Sequence, residues 1–189
     1  MKRNAFFAIL ALSISAASQA QNYKVDPAHT YPSFEADHKG ISVWRGKFTN
    51  TEGTVSLDRA AKTGSMSITI DANSIDFGHE KMSAHAKGKD MFNAAQFPAI
   101  TYTGKSIRFN GDQPASVEGE LTLLGVTKPV TLTINKFKCI QDAMSKKEIC
   151  GADASAEFKR SDFGLNFALN WGFSPDVKLA IQVEAVKVD

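Results

Sequence analysis

The sequence predicts an all-β protein whose antiparallel strands close into a barrel interrupted by one short helical insertion. Three observations carry that prediction. Residues 117–135 alternate apolar and polar side chains on both sides of a turn that begins with a Leu-Gly pair: Val117, Gly119, Leu121 and Leu123 against Glu118, Glu120 and Thr122, then Val130, Leu132 and Ile134 against Thr131, Thr133 and Asn135. That is the period of two half-buried strands meeting at a tight turn. The same period recurs over most of the chain, and one segment, residues 75–93, lacks it.

Taken in order, residues 1–20 have the composition of a cleavable export signal. Lys2 and Arg3 form a positive start, residues 5–17 are apolar but too short to cross a bilayer, and Ser18-Gln19-Ala20 offers the small residues a signal peptidase accepts. The domain is then residues 21–189. Strand alternation follows in Phe34, Ala36 and His38; in Val55 and Leu57; in Met66, Ile68 and Ile70; in Ile100, Tyr102, Ile107 and Phe109; in Ala154, Ala156 and Phe158; and in Val177, Leu179, Ile181 and Val183. Between them, residues 79–87 read as a short helix with Met82 and Ala86 on its inner side, ended by Gly88. Asp90-Met91-Phe92 begins a further turn. Seven or eight such strands suit a sandwich or a barrel, and the even spacing with apolar inward faces on nearly every strand favours closure, which removes both sheet edges.

Charge and cysteine content narrow the function classes. The chain carries 22 basic and 20 acidic residues, and loss of Lys2 and Arg3 with the signal brings the balance to zero. Nucleic acid is therefore not an expected partner, since bulk electrostatic attraction is missing. Cys139 and Cys150 are the two cysteines; their spacing fits neither a CxxC pair nor a zinc knuckle, so a disulfide clamping a long loop between strands is expected. No metal site and no cofactor are expected. His79 and His85 are six apart, on different faces of a helix, and no HExxH pattern occurs. Arg160 and Asp162 read as an ion pair at a strand end. The sequence also lacks a GxSxG elbow, a phosphate-cradling GxxxxGK[ST] loop and a GxGxxG turn.

At the level of motifs the chain resembles the YceI family of exported, lipocalin-like, polyisoprenoid-binding proteins. The hairpin Gly119-Glu120-Leu121-Thr122-Leu123-Leu124-Gly125-Val126-Thr127-Lys128-Pro129-Val130 carries the resemblance. Four further segments agree in order and spacing: Tyr23-Lys24-Val25-Asp26-Pro27-Ala28-His29-Thr30, Phe34-Glu35-Ala36-Asp37-His38, Phe92-Asn93-Ala94-Ala95-Gln96-Phe97-Pro98 and Lys159-Arg160-Ser161-Asp162-Phe163-Gly164. The resemblance implies an extended eight-stranded antiparallel lipocalin-like barrel with an elongated apolar interior; the cleavable export signal predicts a periplasmic location. It also implies the ligand, a long-chain isoprenoid lipid such as a polyprenyl phosphate or an isoprenoid quinone, ubiquinone among them. Family members often carry an Arg-Asp pair in the helical insertion, where this chain has Met82-Ser83; the exchange makes the mouth more apolar.

On that reading the ligand wall is Met66, Ile68, Ile70, Tyr102, Leu121, Leu123, Leu132 and Leu179, with Phe34 and an inward His38 on one strand. Trp44, Phe48, Phe77, Phe92, Phe97, Phe163 and Trp171 are expected in or beside loops and the insertion, where Trp44, Phe48, Met82, Phe92 and Phe163 shield the ligand at the mouth. Each buried methylene contributes about 0.8 kcal/mol, so a five-carbon isoprene unit adds roughly 4 kcal/mol before ordering costs. Two other readings stay open from the residues alone. One is an enzyme acting on a lipid headgroup or small molecule through His38 and neighbouring carboxylates; the other is a solid structural or stress-response barrel that binds protein. Transient membrane contact and pairing of two barrels as a homodimer are likewise open.

Overall fold

A computed structural model describes residues 19–188, so residues 1–18 of the expected signal lie outside the described part. The elements in chain order are β1 (Gln21–Val25), β2 (Tyr31–His38), β3 (Ser42–Phe48), β4 (Thr51–Asp58), β5 (Thr63–Asp71), β6 (Ile75–Asp76), α1 (Glu80–Lys87), β7 (Ala99–Asn110), β8 (Gln113–Leu123), β9 (Val126–Gln141), β10 (Glu148–Lys159) and β11 (Asp176–Val188). Short 3₁₀ turns join several of them.

Eight strands close on themselves in the order β1, β4, β5, β7, β8, β9, β10, β11, with β11 returning to β1 through Val25↔Ala185 and Asn22↔Val188. Every pairing is antiparallel. The ring thus has no free edge at the level of β1, which satisfies backbone groups that an open sheet would expose. At the opposite end β2 takes over from β1 beside β11, pairing Val177↔Ala36 through Gln182↔Tyr31, and β3 and β6 extend from it. The alternation predicts seven or eight strands and the family resemblance an eight-stranded barrel, which is what forms, but the ring's membership differs from the strands that the alternation marks. The five-residue β1 shows only Tyr23 and Val25 as apolar, too few to register as a period, and both are buried.

The central hairpin forms as expected, with Gly119 paired to Val130 and Leu123 to Val126. Leu124 (φ 52°) and Gly125 (φ 74°) both adopt left-handed backbone, the two-residue geometry whose twist matches that of the flanking strands. Gly119 is demanded by packing instead. A Cβ there would lie 2.6 Å from the Tyr102 ring and 2.6 Å from the Thr103 carbonyl oxygen. The ring crosses the space a side chain would take, and its hydroxyl donates to the carbonyls of Val117 and Val130, at 3.1 and 2.9 Å.

The helix starts one residue later than the sequence suggests. His79 caps it, its Nδ1 accepting from the Met82 amide at 3.3 Å, and Gly88 ends it. Ala86 is wholly buried on the inner side.

The disulfide Cys139–Cys150 is present, but its setting corrects the expected one. The two cysteines are a directly paired register position of β9 and β10, so both strands continue past them and the loop is only residues 142–147. Nearby, Tyr23 donates its hydroxyl to Glu148, which Arg59 holds with one guanidinium nitrogen at 3.0 and 3.1 Å from its two oxygens. This end of the barrel is thereby tied across β1, β10 and the β4–β5 turn.

Two stability outcomes follow from these contacts. Gly119→Ala should lower stability by about 1–3 kcal/mol, because the Thr103 carbonyl belongs to the backbone and cannot rotate away; urea unfolding of the two chains measures it. The double replacement of Cys139 and Cys150 by Ser should cost about 3 kcal/mol by loop closure, read as a lowered midpoint that reducing agent reproduces in the parent protein.

Candidate functional site: an apolar cavity with one mouth

Successive side chains on a strand point to opposite faces, so each ring strand sends every second residue inward. Val55, Met66, Ile68, Ile70, Ile100, Tyr102, Val117, Leu121, Leu123, Val130, Leu132, Ile134, Ala154, Leu179, Ile181 and Val183 are such positions, and they wall a cavity of about 370 Å³. That volume falls in the roughly 300–1,000 Å³ range of sites that take small molecules. On β11 the wall extends from Val177 to Val183, roughly 20 Å at the rise of a strand. Below it the barrel is plugged by Tyr23, Leu57, Ile107, Cys150 and Ala185, all buried.

The mouth lies at the other end, among the β2–β3 hairpin, α1 and residues 160–175. It is built of aromatic rings. His38 stacks on Trp44 with centroids 4.8 Å apart and meets the edge of Phe173 at 4.9 Å. Phe34 contacts Phe48, Phe77 and Phe92 at 6.0, 5.5 and 6.5 Å, and His85 meets Phe167 at 5.0 Å. Ser83 does not reach the cavity wall; its hydroxyl accepts the Phe77 amide at 3.0 Å and so fixes the segment ahead of α1, while Met82 faces the cavity.

One full charge is buried in this wall. Arg160 follows Ala154, Ala156 and Phe158 in the inward phase of β10 and its turn, and is 9% exposed. Its Nη1 donates to the carbonyls of Leu165 and Phe167 at 2.9 and 2.8 Å, and its Nε to Ser174 at 3.2 Å. Burial pushes the guanidinium below its ordinary range. The ion pair with Asp162 expected from sequence does not form: Asp162 is exposed, and the turn that carries it directs Arg160 inward instead.

Of the residues expected to contact a ligand, Phe34, His38, Trp44, Phe48, Met66, Ile68, Ile70, Met82, Phe92, Tyr102, Leu121, Leu123, Leu132 and Leu179 face this one cavity. Phe163 does not. It is 1% exposed and packs edge-on against Phe158, which does face the cavity, at 5.3 Å. Trp44 and Phe48 belong to a strand, β3, and not to a loop. Phe158, Phe167, Phe173 and Arg160 were missed. For Phe158 and Arg160 the signal was present, since they continue the two-residue phase of β10; Phe167 and Phe173 lie in irregular chain where no period applies. Among the described residues one trio of potential metal ligands comes together, Cys139, Glu148 and Cys150, and its sulfurs are joined to each other.

Fold and cavity define a class: a closed antiparallel barrel with a blind apolar interior reached through one aromatic mouth. The YceI-like domain pattern matches residues 23–185, and the chain belongs to that family. Protein YceI of Salmonella arizonae is 33% identical over 192 residues, covering 99% of both chains. Among solved structures, BcnA of Burkholderia cenocepacia superposes with a TM-score of 0.72 at 24% identity, over 85% of this chain and 98% of that one. A polyisoprenoid-binding domain from Saccharophagus degradans gives 0.62 at 15% identity, over 88% and 98%.

Burial raises the phenols of Tyr102 and Tyr23 to about 12, with Glu148 adding to the effect at Tyr23. An unfolded tyrosine ionises near pH 10, so the unfolded chain releases these protons first. Stability contributed by the two neutral phenols is complete below about pH 10 and is lost as pH rises towards about 12. Tyrosinate absorbance should show Tyr23 and Tyr102 ionising near pH 12 or together with unfolding, and Tyr102→Phe should remove one of the two late events.

Proposed function

We propose that the protein holds one long isoprenoid lipid, a polyprenyl phosphate or an isoprenoid quinone such as ubiquinone, in its barrel cavity and carries it through the periplasm. The observation that carries the reading is the cavity itself: a wall almost wholly of hydrocarbon and aromatic surface, roughly 20 Å long, with one mouth. A chain that enters gains about 0.8 kcal/mol for each methylene removed from water, so a few isoprene units suffice for tight binding after ordering costs. The polyisoprenoid-binding domain of Saccharophagus degradans shares the fold, which agrees with this ligand class. The signal-like N-terminus and the disulfide support a location outside the cytoplasm.

Transient contact with a membrane fits the rim. Ile41 is 80% and Trp171 60% exposed, on the hairpin and the loop that border the mouth. The enzyme reading has less to support it. His38 stacks between rings with no carboxylate in hydrogen-bond reach of its side chain among the described residues, and the Asp37 carboxylate accepts the Gly40 amide. A solid protein-binding barrel conflicts with the cavity.

Protein purified without detergent should carry a chloroform-extractable lipid at one per chain, seen as an added mass by native mass spectrometry. A chain that carries none and takes up none would sink the proposal. Leu179→Trp, which places an indole across the cavity, should leave the fold intact by circular dichroism and lower lipid uptake at least about tenfold, as loss of a few buried methylenes requires.

A further inference from the structure

Arg160 stands in an electrostatic setting that a hydrocarbon ligand does not complete. A guanidinium has five N–H donors. Three are used, all on neutral carbonyls: Nε on Ser174 and Nη1 on Leu165 and Phe167. Nη2 has no hydrogen-bond partner among the described residues, and no ion pair to Arg160 is formed there either. Buried cations are ordinarily matched by a carboxylate. The acids that could serve are otherwise engaged or turned away. Asp176 is held by Lys159 at 2.7 Å, Asp162 is exposed, and Asp37, the one acid on the cavity wall, accepts the Gly40 amide at 2.9 and 3.0 Å. The other titratable neighbours of the mouth, His38 and His85, are packed against rings.

From this we infer that the polar end of the ligand is an oxygen anion, a phosphate or a carboxylate, that accepts from Arg160 Nη2 while the apolar chain runs down the barrel. The inference rests on the lipid-binding reading and deepens it, because it selects an anionic headgroup over a neutral quinone. Arg160 would then have two tasks at once. Its Nε and Nη1 hold residues 165–174 over the barrel end, and its remaining edge neutralises the headgroup in a site of low dielectric, where a charge-assisted bond is strong. Lys39 cannot substitute for it: its ammonium lies over the outer Phe173 ring at 5.7 Å.

Three probes with one chain separate the possibilities: farnesyl phosphate, farnesoic acid and farnesol, titrated calorimetrically into the lipid-free protein. Binding of one or both anions at least about tenfold tighter than farnesol is expected, and which anion wins tells phosphate from carboxylate. Arg160→Met should erase the preference, so that within that variant both anions bind no tighter than farnesol, and Arg160→Lys should keep part of it. Should Arg160→Met fail to fold, Lys39→Met decides: the preference must survive that change, and its loss would transfer the role to Lys39 and overturn the inference. Equal binding of all three probes overturns the headgroup inference and leaves lipid binding standing. Binding of none removes both.

Discussion

Everything in this molecule depends on the closure of the sheet, and closure depends on five residues. β1 lies between β4 and β11 and bonds to both, so Gln21–Val25 is the piece that turns an open sheet into a ring. With the ring closed, the strands' inward phase is forced onto a common axis, and their apolar side chains meet across a space whose width the strand number sets. Side chains at eight strands can nearly fill such a space. Here they leave a cavity, because small residues, Ala152 and Ala154 among them, occupy inward positions that larger ones would block.

The two ends of the ring are treated differently by the same physics. At one end Tyr23, Glu148 and Arg59 join into a polar clamp beside the disulfide, and large buried residues fill the interior above it. At the other, the chain leaves the ring: β2 and β3 rise beyond it, and α1 with residues 160–175 covers the gap. Rings do the sealing there because they present large apolar area with few rotamers to lose. Arg160 is the polar exception, and it is tolerated because backbone carbonyls of the covering loop satisfy most of its donors.

How much of this could be read from the sequence varied with the kind of signal. Period-two segments such as Met66–Ile68–Ile70 and Leu121–Leu123 declared both their strands and their inward faces, since burial on one face leaves a direct imprint on residue order. β1 and β3 declared little. β1 is too short for a period, and in β3 the inward sequence Trp44, Gly46, Phe48 is interrupted by a glycine whose Cβ position, 2.6 Å from the Phe34 ring, is already occupied. That substitution of a neighbour's ring for a residue's own side chain is a tertiary fact, invisible along the chain. Phe163 errs for the related reason that its 3₁₀ turn breaks the strand phase, burying the ring behind Phe158 instead of on the cavity. Arg160 and Asp162, two apart, suggested a local pair, whereas the turn separates them into interior and surface.

The blind lower end of the barrel fixes an order of events. A guest that enters tail first through the aromatic mouth must depart head first by the same doorway, since Tyr23, Leu57 and Ile107 close the far side. Loading and unloading are therefore mirror images of one path. A barrel closed in this way has no second opening through which cargo could pass from one face to the other; a carrier built on it would have to meet donor and acceptor with the same face in turn. Direction must then come from the relative hold of those two sites on the cargo, and not from the barrel.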